Sequence, residues 1–501
     1  MARDIDLDVR PDVAADPAAL RRAAARAAHL GAEDLAEVRV LRRALDARRG
    51  VRFRLRVRVY RHDEPVPAIE HPTPPSFPTP RRGRPVVVVG DGPAGNFAAL
   101  RLAELRVPAL IVERGKPVQA RRRDLAALTK TGTVNPESNY CFGEGGAGTY
   151  SDGKLYTRAQ KRGPVDAVLR QLVAHGAHPD ILVDARPHIG SNRLPKVVQA
   201  LRATLAGAGV ETRFETRVEA LLVERGAVHG VCTRDGAEIA AAAGAELAPK
   251  PFAVGVRVEH PQPVIDRAQY GADAERFTLP AAAYRLAATV DDRGVFSFCM
   301  CPGGWIVPAT TEPDAVVVNG MSLSRRDSPF ANSGIVVALE PEDVAALGYA
   351  GVGGGHAFQA ALETWAFRAG GGAQAAPAQR LTDFLARRAS ADLPRCSYVP
   401  GIRPARLDQE LPAAIADRLA GALRRFARTL RGWDTRDAVL VGVETRSSSP
   451  VRIARDARTL EAVGVAGLYP SGEGAGYAGG IVSAALDGLG VAAAIAVAYR
   501  D

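Results

Sequence analysis

The chain has 501 residues, more than one hydrophobic core usually serves, so two or three domains are expected. Hydrophobic residues make up 47% and charged residues 24%, a globular balance that excludes a disordered chain. The net charge of +10 is carried mainly by arginine, and residues 1–84 hold 18 basic against 12 acidic side chains, an excess of six. Those arginines alternate with acids and apolar residues instead of clustering with aromatics, so a solvated face is expected and no nucleic-acid partner.

Five cysteines (Cys141, Cys232, Cys299, Cys301, Cys396) are an odd number spread thinly, which does not read as a disulfide framework and fits a reducing cytoplasm. The start, MARDIDLDVR, carries acids where a signal peptide has a basic and then an apolar region. No apolar run is read as reaching the ~18 residues of a membrane span, and the C-terminal VAAAIAVAY is taken as too short.

In chain order, residues 1–64 predict a small α/β domain. Asp4–Val9 alternates as a strand would, Pro17–His29 is Ala/Arg-rich and helical, and VRFRLRVRVY (Val51–Tyr60) alternates almost without a break. Its apolar set, Val51, Phe53, Leu55, Val57 and Val59, is expected to face a core. Residues 65–84 are so rich in proline that they predict a semi-rigid linker.

Pro85–Gly115 then reads as strand, tight turn, helix and strand. Val86–Val89 predicts a strand buried on both faces of a parallel sheet. Gly90, Gly92 and Gly95 supply G-x-G-x-x-G as the helix opens: one glycine for the turn, one for close approach to a pyrophosphate, one for helix-to-strand packing. The phosphates would sit on the helix N-terminus. Ala109–Val112 is the next strand, and Glu113 ends it about where a carboxylate would accept from a ribose hydroxyl.

A basic helical connection (116–134) leads to NYCFGEGGAGTYSDGKL, where five glycines fall within Gly143–Gly153. Their ordering cost is understandable if the backbone touches a flat or charged ligand, with Lys154 adding a cation; a mobile surface loop is the bland alternative. Further α/β units follow, with a helix over 194–208, a strand over 210–214 and a hairpin from Val218 to Thr233. From Phe252 the alternation predicts an antiparallel second domain. Its CMC segment puts Cys299 and Cys301 on one side of a strand: buried structural thiols are the commoner outcome, a redox pair the sharper one, and no zinc-ligand spacing accompanies them. His260 and His356 have no obvious partners. Helices are expected over 356–369, 377–389 and 412–431, then a strand over 437–443 and a glycine-rich turn (Gly472, Gly474, Gly476, Gly479, Gly480) before a long last helix, a second helix N-terminus suited to an anion or dipole acceptor.

Taken together, VVGDGPAGNFAAL, IVERG, FGEGGAGTYSDGKL, PKPFAVGVRVEHPQ, FCMCPGGWIVPA, VNGMS, GVETRSSSPVRI and LYPSGEGAGYAGGIVSAALDG resemble the bacterial FAD-dependent dehydrogenases of unassigned substrate, a branch of the NAD(P)/FAD-dependent oxidoreductases. The likeness covers most of the chain. It implies an α/β fold: a split Rossmann-like FAD-binding domain (85–250 and 440–501) with an inserted antiparallel α+β substrate domain (251–439). It implies FAD with its pyrophosphate on Gly90, Gly92, Pro93, Ala94 and Gly95 and its adenosine ribose by Glu113 and Arg114. Gly145, Gly146, Gly148 and Thr149 would line it, Gly472 and Glu473 would lie by the ribityl chain, and Gly476, Gly479, Gly480 and Ile481 would face the flavin. The expected activity is hydride exchange at flavin N5 with a small-molecule substrate. Lys154, Glu444 and Arg446 are the candidate proton or substrate-orienting groups, chosen from charge and motif proximity. No second strand-linked G-x-G-x-x-G is visible, so NAD(P)H, if it is the donor, docks transiently.

One departure stands out. Relatives are longer between the hairpin and the KPF motif, where only AAAAGAELAP (240–249) lies here, and the shortening is expected to remove a cofactor wall. The rival readings are an FAD-binding protein that does not turn over and a basic nucleic-acid-binding or scaffold protein acting through residues 1–64.

Overall fold

The computed structural model describes residues 2–157, 163–233 and 244–499. The fold is mixed α/β around a large sheet. The N-terminal unit is a three-stranded antiparallel sheet in the order Arg3–Val9, Arg52–Arg61, Leu35–Asp46, with helix Pro17–Ala28 on one face. Leu55, Val57 and Val59 enter its core as the alternation predicts, while Val51 packs into the core of the large sheet. On the wet face arginines pair with aspartates across the ladder: Arg56 with the opposite Asp6 at 2.8 Å, Arg58 with the opposite Asp4 at 2.6 Å, and Arg52 with Asp8 on the diagonal. Three of the arginines on this face are therefore neutralised across the ladder. The 12-residue strand Leu35–Asp46 has no counterpart in the sequence reading, because its Leu, Ala and Arg content favours helix and tertiary pairing overrides it.

The second unit is a parallel sheet in the order Val86–Val89, Ala109–Val112, Glu211–Arg213. Helix Pro93–Glu104 covers it, and the last helix, Ile481–Ala498, packs onto that helix from 380 residues downstream through Val482, Ala485, Leu486 and Ala492. Gly488 allows the contact, since a Cβ there would stand 2.1 Å from the Ala94 carbonyl oxygen. Two expectations need correction. Ile481–Ala498 has 18 residues and a mean hydropathy of 2.0, so one helix among the described residues is long and apolar enough to cross a membrane. One face of it packs against Pro93–Glu104, and 39% of its residues are buried. Nor is Val86–Val89 buried on both faces: it is the outer strand, Val86–Val88 are half-buried, and Val89 is 57% exposed.

The third unit is a seven-stranded sheet in the order Ala287–Val290, Arg293–Cys301, Phe330–Leu339, Phe252–Pro261, Val439–Glu444, Ala376–Arg380, Ile402–Pro404, antiparallel except for the last pair. Helices Gly354–Ala369 and Ala413–Thr429 cover it over the largest core, centred on Val256, Val258, Ile335, Val337, Leu440 and Trp433. Strand Val439–Glu444 is paired inside this sheet, so a division at 439 cuts it, and the chain returns to the cofactor side only afterwards. An apolar VLVGV run suits a parallel or an antiparallel buried strand equally, which is why periodicity could not place it. The helix expected over 377–389 is instead the fully buried strand Ala376–Arg380 followed by a short helix, Leu381–Leu385. Of the shortened 240–249 segment, residues 240–243 lie outside the described residues; beyond them Leu247–Pro249 pairs with Val451–Ile453.

Candidate cofactor site

Three glycine-bearing turns converge at the end of the parallel sheet. The first follows Val89. Gly90 has φ +98°, its amide donates to the Val112 carbonyl at 2.8 Å, and Gly92 opens helix Pro93–Glu104 with no side-chain cap. A Cβ on Gly95 would stand 2.0 Å from the Gly90 oxygen, so only glycine lets the helix start this close to the strand.

The second turn, Gly143–Gly148, folds around Arg121. That guanidinium is fully buried and donates to the carbonyls of Asn139 (2.9 Å), Tyr140 (3.0 Å), Gly143 (3.1 Å), Glu144 (2.8 Å) and Gly146 (2.9 Å). The turn is thereby pressed on the first: Gly145 donates to the Asp91 carbonyl at 2.8 Å, and a Cβ on Gly146 would lie 3.1 Å from Gly92 Cα. Arg121 is one of three consecutive arginines, and nothing in the sequence singles out the one that turns inward. Beneath the turns sits Asp91, whose carboxyl is pushed well above the carboxylate range by burial and by Glu113 and Glu144.

The third turn precedes the last helix. Asp487 accepts from the Gly472 amide at 2.8 Å and pairs with Arg455 at 2.6 Å, and Arg455 lies 3.6 Å over the Tyr477 ring. Gly480 opens helix Ile481–Ala498, again without a side-chain cap.

All three turns face one cavity of about 1040 Å³. Of the expected cofactor contacts, Gly90, Gly92, Pro93, Ala94, Gly95, Gly146, Gly148, Gly472, Glu473, Gly479, Gly480 and Ile481 line it, as do Lys154 and Arg446. The others do not. Glu113 is turned inward, accepting at 2.9 Å from the amides of Asp91, Gly115 and Gly143, so its carboxylate braces the two turns instead of lying open for a ribose. The offset from the glycines marks the strand end without fixing where the side chain points. Arg114 pairs with Glu137 at 2.7 Å and stacks 4.0 Å over Phe142. Thr149 is buried and donates to the Glu144 carbonyl at 2.9 Å. Gly145 and Gly476 shape their turns at φ +77° and +86°.

The residues present fit FAD. A Cβ on Gly90, Gly474 or Gly479 would meet nothing within 4 Å, so bare backbone faces open space, and two helices of 12 and 18 residues aim uncapped N-termini into it. Such a pair suits a pyrophosphate and an electron-rich ring.

The opposite wall comes from the large sheet. Lys154 Nζ lies 3.4 Å from Asp152, which Arg326 (2.6 Å) and Ser322 also hold. Burial opposes the ammonium, but Asp152 and the sulfurs of Cys299 and Cys301, 3.6 and 3.7 Å away, hold it charged. Glu444 belongs to a different arrangement: it is buried and held by Arg257 through two hydrogen bonds of 2.7 and 2.8 Å. Paired in this way it serves Arg257 as a counter-ion and does not line this cavity. Arg446 pairs with Glu363 at 2.7 Å and keeps one edge on the cavity beside Thr311, 3.0 Å away. Glu473 is open to the cavity yet walled by protein, and desolvation pushes its carboxyl up to about 7. His260 is buried against Trp433 in the sheet core, far from this chemistry.

Comparison with known proteins supports FAD as the cofactor. Residues 251–447 match the family described as FAD-dependent protein, C-terminal domain-like, and residues 1–60 match a domain of unknown function, DUF8436. The first match supports FAD and gives no support to NAD(P)H. Among solved structures, the myxobacterial chondrochloren halogenase CndH is 14% identical with TM-score 0.24, covering 56% of this chain and 57% of the halogenase. The chain thus spans little more than half of that protein's length. The 3-ketosteroid-delta4-(5alpha)-dehydrogenase from Rhodococcus jostii RHA1 is 13% identical with TM-score 0.30, covering 83% of this chain and 96% of the dehydrogenase. Scores this low carry no argument. An uncharacterized protein of Clostridium beijerinckii (strain ATCC 51743 / NCIMB 8052) is 40% identical over 433 residues, 82% of this chain and 80% of its own. The chain therefore belongs to the family of that Clostridium protein, with an FAD-dependent-type second domain.

Proposed function

We propose that this protein is an FAD-dependent oxidoreductase. The observation that supports it most is the convergence of two uncapped helix N-termini, at Gly92 and Gly480, on one glycine-walled cavity that also holds Lys154 and Arg446. In this reading FAD lies in a split Rossmann-like domain formed by 85–250 and the chain after Glu444, and residues 251–444 supply the substrate wall. When bound, FAD supplies hydride exchange at N5. The chain's own part is to seat the pyrophosphate on the amides of the first helix, to direct the positive end of the last helix at the ring, and to present Lys154 and Arg446 as cations that orient a small substrate. Neither cation is free to wander, because Asp152 and Glu363 anchor them.

The visible absorption spectrum of the purified protein, followed by anaerobic NADH or NADPH, tests this. Flavin bands that bleach with a donor are expected. A protein that stays colourless when FAD is added would sink the proposal. A second reading, an FAD protein that does not turn over, rests on the short segment AAAAGAELAP (240–249) between the hairpin and Lys250. It predicts flavin bands that neither nicotinamide bleaches.

A further inference from the structure

The strand Arg293–Cys301 does not run evenly to its end. Its pairing with Phe330–Leu339 breaks register between Phe298 and Cys301, and Cys299 sits there at φ +46°. A non-glycine residue in that region persists only where its surroundings hold it. In a regular strand, residues two apart have Cα atoms about 6.6 Å apart, near the upper limit for a disulfide. The break takes Cys299 out of full extension, and its effect is to bring both sulfurs to one lysine. Cys301 Sγ also lies 3.2 Å from the Cys299 carbonyl oxygen.

The two thiols are unequal. Cys299 lines the cavity, whereas Cys301 is fully buried behind it. Lys154 Nζ stands 3.6 Å from the first sulfur and 3.7 Å from the second, fixed by Asp152. Buried structural thiols need no ammonium beside them, and placing one there carries a desolvation cost. The charged groups facing Cys299 are Lys154, Arg257, Asp152, Glu444 and Glu473. The hydrogen bond from Cys301, helped by Lys154 and Arg257, holds the Cys299 thiol well below its usual range against burial, while the same bond and burial hold Cys301 above it.

We propose that Cys299 and Cys301 form a dithiol–disulfide couple opening onto the cavity, with Cys299 the attacking thiolate, Cys301 the resolving thiol, and small disulfides the substrate class. Cys299 attacks one sulfur of the substrate, the S–S bond breaks, and the departing thiolate takes a proton from water. Cys301 gives its proton to water and attacks Cys299 Sγ, releasing the second thiol. One external disulfide is reduced to two thiols, and one dithiol is oxidised to a disulfide. An attacking thiol of low pKa beside a cation, with its partner shielded, is the arrangement this exchange favours. The proposal concerns the chain's own sulfurs and stands apart from whether FAD binds.

The test is 2,2′-dithiodipyridine added to the full-length protein, with and without FAD, followed by tryptic mass analysis. Cleavage after Arg293 and Arg325 gives one peptide, 294–325, that holds Cys299 and Cys301 and no other cysteine. The expected peptide is lighter by two hydrogens, with two pyridinethiones released. In Cys301→Ser it should instead carry one pyridyl disulfide on Cys299. Lys154→Met should slow the reaction at pH 7 about tenfold and move its pH midpoint upward. A peptide that reacts only after denaturation, or that carries separate adducts on both sulfurs, overturns the proposal. Should Cys301→Ser fail to fold, the wild-type peptide mass decides alone. Failure of the flavin reading shows as a colourless protein and leaves this result legible.

Discussion

At the scale of single residues the cavity is defined by how its charges are held. Lys154 and Arg446 each have a carboxylate anchor, but Glu473 has only the distant attraction of Lys250 to set against desolvation. Its folded-state pKa is therefore raised to about 7 from an unfolded value near ~4.3. The sign follows from proton binding. Between these values the folded protein holds the proton and the unfolded chain releases it, so stability from neutral Glu473 is full below about pH 4 and is lost as pH rises through 7. Glu473→Gln, which stays neutral, should match the wild type in melting temperature at pH 4 and exceed it at pH 8. A gap that does not change with pH would show that Glu473 titrates normally. Glu113 teaches a related lesson: its position was legible as the end of the second strand, but its orientation was set by three backbone amides that only folding brings together.

At the scale of elements the critical contact is between helices Pro93–Glu104 and Ile481–Ala498. Val482, Ala485 and Ala492 pack on the first helix unit, and Gly488 meets the backbone of Ala94 at a cavity-lining turn. Gly488→Val should force the helices apart at a cost of about 1–3 kcal/mol, seen as a lower denaturation midpoint. Because Ala94 lines the site, FAD occupancy should fall even under conditions where the protein remains folded. Unchanged occupancy and midpoint would mean that the helices tolerate separation. The glycines of both turns were readable from sequence because their spacing records a backbone requirement. The strand Ala376–Arg380 was not, because alanine, proline and glutamine become strand-forming only between two partners in the sheet.

At the scale of the molecule the N-terminal unit braces the other two. Arg43 pairs with Asp184 at 2.8 Å and Asp180 at 3.0 Å beside the parallel sheet, and its backbone bonds to Val183 and Ala185. Val51 is buried in the core of the large sheet, and its amide donates to Asp273 at 2.9 Å. The two anchors differ in worth. Arg43 is 40% exposed, so Arg43→Ala should cost no more than about 1 kcal/mol, whereas Val51→Ala removes buried apolar area and should cost about 2 kcal/mol. Calorimetry of the two variants checks the order, and the reverse ranking would place the docking energy in the ion pairs.

What the sequence determined by itself is whatever depends on local spacing: the alternating strand, the proline linker, the hairpin, and the glycine turns that must accept a left-handed backbone or a close neighbour. What only the tertiary structure decided is everything that requires distant segments to meet. Arg121 alone of three arginines turns inward to gather five carbonyls, Glu444 is taken up by Arg257, and Lys154 reaches the sulfurs of Cys299 and Cys301 across some 145 residues of chain. Spacing along a chain fixes which backbone conformations are cheap, but desolvation and charge pairing are settled by neighbours in space.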